Sequence, residues 1–320
     1  MPETIPIAAG EGDSTITDVV TDRVGRVVAP VMINGRGPYR FIIDTGANRS
    51  AVARHLAEEL GLVPTSTGQV HTINESALTP LVNLTSVQYA GVTFNDLQAP
   101  LIDGPVLAGE DGLLGVDGLT GKRLVLDFED NCVEIADSRR ARRLHGWTDV
   151  PGELRFGHLV LIDGYIRGTR VNVLLDTGSA SSLANTAFRE AVSGITVRQD
   201  AGRVSILRAF SSGQPLILST SMFIPELDMG DVEISAVNAY LGDFHIFDLW
   251  GLRDEPTILI GMDVLSKASG MAIDYATGRV YFRLPWEQRT GNRMRGHTPD
   301  PVTVFAPPQP PRRVVIPPQP

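Results

Sequence analysis

The sequence predicts a protein of two similar lobes built largely from strands, and three observations support this prediction. The seven residues 41–47 (FIIDTGA) have a second copy at 173–179 (VLLDTGS). Two apolar stretches separated by a glycine turn precede each copy, a pattern typical of a β-hairpin. At 320 residues, the chain is long enough for two lobes of about 130 residues, each with its own core.

The repeat extends through both halves of the chain. Asp44 of the first copy and Asp176 of the second lie 132 residues apart. Two later signals follow in the same order in both halves: LLG at 113–115 with LIG at 259–261, and LDF at 126–128 with IDY at 273–275. The spacing grows to 146 and 147 residues at these signals. The second half therefore contains an insertion, which falls within residues 241–256.

An aspartate at the end of an apolar strand is unfavourable for folding. A buried carboxylate loses its hydration and persists only when it is hydrogen-bonded or when its pKa moves. Asp44 and Asp176 occupy this position in both copies, which indicates that the two carboxylates carry out chemistry. The alternative is a pair of ordinary strand-to-turn exits with glycine at the bend.

These motifs resemble the aspartic proteases of the pepsin and retropepsin superfamily, in a bacterial-type single-chain form. The resemblance covers roughly residues 24–282. It implies an all-β fold with two similar retropepsin-like β-barrel lobes, related by a pseudo-twofold axis, and an active-site cleft between them. It also implies an endopeptidase in which Asp44 and Asp176 share one proton and activate a water by general acid and base catalysis. No metal and no other cofactor is expected.

The resemblance assigns supporting roles to residues near each aspartate. Thr45 and Thr177 are expected to cross-link the two loops, while Gly46 and Gly178 let the backbone approach the shared water. The remaining assigned residues are Ala47 and Ser179 of the loops, Leu114, Gly115, Ile260 and Gly261 of the psi-shaped elements, and Ile73, Asn74, Glu75 and Ser76 of a candidate flap over the cleft.

The two copies differ directly after the triplet, where the first has Ala47 and the second has Ser179. In pepsins, a hydroxyl at this position donates to the outer oxygen of the carboxylate, and such a donor lowers a carboxyl pKa. We therefore expect Asp176 to ionise more readily and Asp44 to hold the shared proton. With one donor missing, the pair should titrate higher than in a pepsin, which predicts a mildly acidic optimum.

Two surface features leave alternatives open. The candidate flap, within 69–82, is either a lid over the substrate or a plain surface hairpin, and its counterpart in the second half is expected at 204–216 with the tip at 211–213. The insertion at 241–256 contains Phe244, Phe247 and Trp250. These aromatic side chains either line substrate subsites or form a small packed cluster under the loop.

The chain divides into five predicted segments: a flexible N-terminal segment at 1–19, a first lobe at 20–137, a basic linker at 138–152, a second lobe at 153–286 and a Pro-rich disordered tail at 287–320. Four arginines between 139 and 143 make the linker basic. This basic run is either a solvated surface or a site for self-processing or for a partner. Nine of the 22 prolines fall in the last 30 residues, which favours an extended, disordered tail. The alternative is that this tail contains a docking site for a partner.

Composition limits the partners. A formal charge of −9 argues against nucleic acid or an anionic membrane surface, and no apolar run is long enough to span a membrane. Cys132 is the only cysteine, so no intramolecular disulfide forms. Residues 1–18 lack a signal-peptide pattern, so we expect either a cytoplasmic protein or a mature form from the periplasm or a secreted pool.

The expected partner is a peptide or protein substrate, bound by a monomer because one chain supplies both aspartates. A homodimer of single lobes is disfavoured for the same reason. The alternative from another class is a protease-shaped binding or regulatory module without turnover. No phosphate loop, Gly-x-Ser-x-Gly elbow or His/Cys metal spacing appears in the sequence.

Overall fold

The computed structural model describes residues 14–156, 159–194, 207–210, 215–218, 220–285 and 293–295. Strands account for 52% of the structure and helices for 10%, which confirms the all-β prediction. The strands of the first half are β1 (Ser14–Asp18), β2 (Val20–Thr21), β3 (Val27–Ile33), β4 (Arg36–Ile43), β5 (Ala51–Ala53), β6 (Ser66–His71), β7 (Ser76–Tyr89), β8 (Val92–Ile102), β9 (Gly112–Leu114), β10 (Lys122–Asp127) and β11 (Cys132–Asp137).

The second half repeats this order. Its strands are β12 (Thr148–Val150), β13 (Gly152–Arg155), β14 (Leu159–Ile166), β15 (Thr169–Leu175), β16 (Ser182–Ala184), β17 (Leu207–Phe210), β18 (Pro215–Leu218), β19 (Ser221–Met229), β20 (Val232–Leu241), β21 (Thr257–Ile260), β22 (Gly270–Asp274), β23 (Arg279–Arg283) and β24 (Arg293–Arg295). The helices are α1 (Arg54–Leu60), α2 (Thr186–Val192), α3 (His245–Leu249) and α4 (Met262–Leu265), with a 3₁₀ turn at Pro105–Leu107. The longest helices of the described chain have seven residues, too few to cross a membrane.

Each half folds into a closed barrel of six strands. The first barrel runs β3-β4-β9-β5-β8-β7 and closes where Met32 and Ile33 of β3 pair with β7. The second runs β14-β15-β21-β16-β20-β19 and closes where Tyr165 of β14 lies opposite Asp228 of β19. Closure pairs β3 with β7 and β14 with β19, which leaves fewer exposed strand edges in each sheet. The equivalent strand order confirms two similar lobes.

Sequence explains why the barrels place apolar residues inward. The strand β3 reads VVAPVMI and is buried along almost its whole length, while β15 is buried from Val171 to Leu175. Both strands are covered on two faces, so they show continuous apolar runs instead of alternation. Each of β4 and β15 then ends directly before an aspartate, which delivers the two carboxylates from the barrel cores to the space between the lobes.

A six-stranded sheet joins the lobes in the order β1-β11-β10-β22-β23-β12. Its centre is the antiparallel pair β10 and β22, where Leu124 of the first lobe lies opposite Ile273 of the second. Two arginines form ion pairs across this junction: Arg123 Nη2 lies 2.8 Å from Asp274 Oδ2, and Arg283 Nη2 lies 2.5 Å from Asp127 Oδ1 and 3.5 Å from Glu129 Oε2. The lobes therefore share a continuous hydrogen-bonded base.

The edge strands of this shared sheet come from two segments that the sequence predicts to lie outside the lobes. Part of the segment 1–19, predicted to be flexible, forms β1 and pairs with β11, and part of the linker 138–152 forms β12 and pairs with β23. Both outer strands cover backbone groups of β11 and β23 that would otherwise be unpaired, a requirement that the composition of a short segment does not reveal. Residues 1–13 lie outside the described part of the chain.

The predicted disordered tail at 287–320 also contains a strand. In it, β24 pairs in parallel with β20 at Glu233–Ser235. The strand β16 covers only the last part of β20, from Ala239 onward, so the same side of β20 is open to β24 at its beginning. The rest of the tail lies outside the described residues.

The aromatic side chains of the insertion 241–256 form a packed cluster, one of the two alternatives considered above. Phe244, Phe247 and Trp250 are all buried. The ring centroids of Phe244 and Phe247 are 6.0 Å apart, and Trp250 stacks on Phe156 at 5.8 Å. The insertion carries α3, whose role is considered below.

Candidate active site

The two aspartates occupy equivalent positions beside the psi elements. The Asp44 N–H donates to Leu114 O at 2.9 Å, and the Asp176 N–H donates to Ile260 O at 2.9 Å. These bonds continue the parallel pairing of β4 with β9 and of β15 with β21. The strand pairing thus fixes the backbone of each aspartate before its side chain makes any contact.

The threonines of the two loops interlock across the lobe boundary. The Thr45 N–H donates to Thr177 Oγ1 at 3.1 Å, and the Thr177 N–H donates to Thr45 Oγ1 at 3.1 Å. Each hydroxyl donates in turn to a carbonyl of the opposite lobe, Thr45 to Leu175 O at 2.9 Å and Thr177 to Ile43 O at 2.6 Å. Both threonines are buried, so this network holds the loops in one relative position.

The carboxyl groups of Asp44 and Asp176 lie within hydrogen-bonding reach of each other. Backbone donors fix their inner oxygens: the Gly46 N–H donates to Asp44 Oδ1 at 2.9 Å, and the Gly178 N–H donates to Asp176 Oδ1 at 2.8 Å. Asp176 is 7% exposed, whereas Asp44 is half-buried. The structure therefore brings the two sequence-predicted aspartates together as one pair.

The glycines of the triplets make this proximity sterically possible. A Cβ at Gly46 would lie 2.5 Å from Asp176 Cγ, and a Cβ at Gly178 would overlap the carboxyl group of Asp44. Neither glycine has a positive φ, so backbone conformation is not the reason for glycine here. The approach of the backbone to a shared water stays a prediction, and the structure adds that these glycines make room for the opposite carboxyl group.

The surroundings shift the titration of the pair. Burial raises the pKa of Asp44, an effect that the hydrogen bond with Asp176, the Gly46 N–H and the charge of Arg26 partly offset. Burial and then the negative charge of Asp44 raise the pKa of Asp176 well above its ordinary value. Two adjacent carboxyl groups cannot both ionise readily, so they hold one proton between them. The charge of Arg26 acts on Asp44, so it favours an ionised Asp44 within the coupled pair.

The expectation based on Ser179 depends on a hydrogen bond from its hydroxyl to Asp176, and the structure gives this hydroxyl another acceptor. The Ser179 hydroxyl donates to Ser181 O at 2.8 Å and not to a carboxylate, although the Ser179 N–H donates to Asp176 Oδ1 at 3.2 Å. The nearby backbone carbonyl is a competing acceptor that the pattern of residue types did not reveal. The exchange of Ala47 for Ser179 therefore does not create the predicted asymmetry.

Arg26 supplies an asymmetry that sequence analysis missed. Its side chain is buried, and Nε donates to Asp22 Oδ2 at 2.8 Å. Its Nη1 donates to Val106 O at 2.8 Å and to Gly178 O, in the catalytic loop of the other lobe, at 3.4 Å. The Arg26 guanidinium, which is also ion-paired with Asp22 at 2.8 Å, thus lies beside the carboxyl pair. The equivalent position of the second lobe is His158, which lies outside the described residues.

A second matched feature was also missed. Ser50 Oγ donates to Asp117 Oδ1 at 2.6 Å and accepts from the Gly115 N–H at 3.1 Å. In the second lobe, Ser182 Oγ donates to Asp263 Oδ1 at 2.9 Å and accepts from the Gly261 N–H at 3.1 Å. These serines tie each psi element to its loop. Burial raises the pKa of Asp263 to about 6.

The remaining predicted site residues lie at the ends of β9 and β21 and in the hairpin formed by β6 and β7. Leu114 and Ile260 end β9 and β21, and the psi-element glycines follow directly. Ile73, Asn74 and Glu75 lie in the turn between β6 and β7, and Ser76 begins β7. In the second lobe, β17 and β18 form the corresponding hairpin, but its expected tip at 211–213 lies outside the described residues.

Among the described residues, the one acidic or histidine group close enough to hold a cation consists of Glu226, Asp228 and Glu233, on β19 and β20. None of these residues belongs to the loops that carry the carboxyl pair.

Two barrels that each contribute one Asp-Thr-Gly loop to a shared carboxyl pair define the class of aspartic peptidases. A family model described as aspartyl protease matches residues 29–117 and 162–264, more than half of the chain. The chain therefore belongs to the aspartyl protease family, and the resemblance noted in the sequence is confirmed. Comparison with curated proteins gives no match.

Proposed function

We propose that this member of the aspartyl protease family is an endopeptidase that hydrolyses peptide bonds with Asp44 and Asp176. The observation that supports this proposal is the carboxyl pair itself, fixed by reciprocal threonine bonds and backbone donors. A monomer is proposed as the active form, since both aspartates come from one chain. Family membership supports peptidase chemistry, and the asymmetric surroundings suggest the role of each carboxyl group.

In the proposed first step, the Asp44 carboxylate takes a proton from a water molecule as the water oxygen attacks the carbonyl carbon of the substrate. Asp176 gives its proton to the carbonyl oxygen, so the product of this step is a neutral tetrahedral diol. A carboxylate and a carboxylic acid side by side supply the base and the acid together. The raised pKa of Asp176 keeps its proton available under mildly acidic conditions.

In the second step, the diol collapses as the carbon–nitrogen bond breaks. The leaving nitrogen takes a proton from Asp44, and one diol hydroxyl returns its proton to Asp176. The starting protonation of both carboxyl groups is thereby restored. No covalent intermediate with the protein forms. The backbone hydrogen bonds that hold the two loops therefore persist through the reaction.

The test is cleavage of an unfolded casein and a proteome-derived peptide mixture by the wild type, Asp44→Asn and Asp176→Asn. Each substitution should reduce kcat/KM by at least about 10³-fold, because a catalytic unit that loses one member loses nearly all its activity. Circular dichroism should show that both variants remain folded. The specific activity of the wild type should stay constant on dilution.

Substantial activity in either variant would refute the proposed chemistry. A folded wild type that binds peptides without cleaving them would instead support a binding module. Activity that falls on dilution together with dissociation of a dimer would refute the monomer.

A further inference from the structure

The hairpin of the first lobe reaches across to the insertion of the second. This hairpin, which we call the flap, consists of β6, β7 and the turn 72–75. The Ile246 N–H, in α3 of the second lobe, donates to Ile73 O in the turn at 3.2 Å. His71 Nδ1, at the end of β6, lies 2.9 Å from His245 Nε2, at the start of α3. The flap is thus bonded to both lobes and bridges the cleft between them.

The two imidazole rings are arranged end to end. Their planes differ by 17° and their centroids are 5.2 Å apart. The centroid separation exceeds the 2.9 Å distance between the nitrogens by about the radii of the two rings, so the nitrogens lie between the centroids on one line. This geometry is a linear N–H···N hydrogen bond. One ring donates and the other accepts, which fixes complementary tautomers of the two histidines.

The opposite hairpin also reaches across the cleft, but the contact differs. Cα atoms of β17 lie within 8 Å of those of the 3₁₀ turn Pro105–Leu107 of the first lobe. This turn and α3 each precede the psi element of their lobe. The insertion in the second lobe replaces a three-residue turn with a longer segment that carries α3. The insertion therefore provides the residues that bond to the flap.

We propose that His71 and His245 form a latch that closes the flap on the second lobe and selects substrates by how they reach the carboxyl pair. When the latch is closed, the flap covers the cleft. A peptide then reaches the site by inserting a free end beneath the flap. A cyclic peptide or an internal loop of a folded protein enters only when the latch opens. The proposed selection of substrates rests on the proposed endopeptidase function, whereas the latch between His71 and His245 does not depend on that function.

The structure of the latch suggests a matched set of variants. His71→Ala and His245→Ala each remove one partner. The double variant His71→Asn with His245→Gln places amide groups near the original Nδ1 and Nε2 positions, where they can form a new hydrogen bond. His145→Ala, at an exposed histidine of the linker, is the control.

Hydrogen–deuterium exchange measured by mass spectrometry tests the latch without reference to activity. Each alanine variant should increase exchange in both the flap and α3 by about fivefold, the factor associated with one net hydrogen bond. An increase in the element that was not mutated is the informative result, because His71 and His245 are 174 residues apart in sequence. The double amide variant should restore exchange towards the wild type, and His145→Ala should leave it unchanged. Equal exchange in all these proteins would overturn the latch.

Cleavage of one peptide sequence in linear and head-to-tail cyclic form tests the selection. Each alanine variant should raise the ratio of kcat/KM for the cyclic over the linear peptide by about fivefold. The amide pair should return this ratio towards that of the wild type. An unchanged ratio would overturn the selection. If the wild type cleaves neither peptide, the endopeptidase function and the selection fail together, while exchange still decides whether the latch exists.

Discussion

The two Asp-Thr-Gly loops agree closely, whereas the regions around them differ between the lobes. Each loop has the same threonine bonds, the same glycine contact with the opposite carboxyl group and the same serine bond to its psi element. Only the first lobe contributes Arg26, and only the second contributes the insertion with α3. The symmetric parts build the carboxyl pair. We propose that the asymmetric parts bias which carboxyl group carries the proton and hold the flap closed.

The glycine contacts test the symmetric part and should give the largest effect. Gly46→Ala and Gly178→Ala each force a methyl group onto the opposite carboxyl group, so we expect kcat/KM to fall at least about 100-fold in both variants. Gly194→Ala is the matched control, because no atom of the described residues beyond its chain neighbours lies within 4 Å of the added Cβ. Similar losses in the two loops support their equivalence; near-normal activity in either variant would contradict it.

The ion pairs Arg123–Asp274 and Arg283–Asp127 across the shared sheet should contribute differently to the free energy of unfolding. Asp274 is 1% exposed and accepts hydrogen bonds from Arg123 and Ser138, whereas the Asp127 side chain is 13% exposed. Asp274→Asn should lower the free energy of unfolding by about 3 kcal/mol, because it leaves a largely buried Arg123 without its charged partner. Asp127→Asn should cost about 1 kcal/mol. Urea titration measures both, and equal losses would contradict the difference in burial.

The cost of Asp274→Asn should also depend on pH. Burial alone would raise the pKa of Asp274, but hydrogen bonds from Arg123, Ser138 and the Ala276 N–H bring it below its ordinary value. A carboxyl group with a lowered pKa stabilises the fold above its unfolded pKa of about 3.9 and loses this contribution as the pH falls through the folded pKa. The gap between wild type and variant should therefore narrow below about pH 4. A constant gap would contradict this account.

Arg26 tests the asymmetric part. Arg26→Gln removes the charge that favours the Asp44 carboxylate, so the first ionisation of the pair should move to higher pH, by up to about one unit. The acid limb of the kcat/KM profile reports this ionisation. Arg26→Lys keeps the charge and should shift the limb less. An acid limb that stays in place, or moves to lower pH, in the glutamine variant would exclude this role.

The smallest expected effect concerns the end of the repeat, where Tyr275 corresponds to Phe128. Tyr275 is 2% exposed, and its hydroxyl has no hydrogen-bond partner among the described residues. A buried unpaired hydroxyl is unfavourable, so Tyr275→Phe should leave stability unchanged or raise it by about 1 kcal/mol. A marked fall in the unfolding temperature would show that the hydroxyl contributes to the fold.

The sequence was sufficient for the parts of the site that lie on repeated strands. Asp44, Asp176 and the psi-element glycines follow from local patterns at matched spacing, and the structure places them together. The bond between Ser50 and Asp117 could have been found in the same way. Serine follows each catalytic aspartate by six residues, and an aspartate follows each psi-element glycine by two.

The rest depends on contacts that local patterns do not encode. The Ser179 hydroxyl donates to Ser181 O, an acceptor that the residue type alone did not predict. Arg26 and Gly178 are separated by 152 residues, and their contact exists only once the lobes are docked. The strands β1 and β24 form because open strand edges are available elsewhere in the fold. Such features depend on tertiary packing, so composition alone led to a prediction of disorder for their residues.

The most direct test of the central claim is the location of the shared proton. Neutron diffraction from deuterium-exchanged crystals at mildly acidic pH would show it without a substrate. The account predicts deuterium on the Asp176 oxygen that faces Asp44, and none on the Asp44 carboxylate. Deuterium bound to Asp44, with Asp176 ionised, would contradict the assignment of base and acid and the role of Arg26.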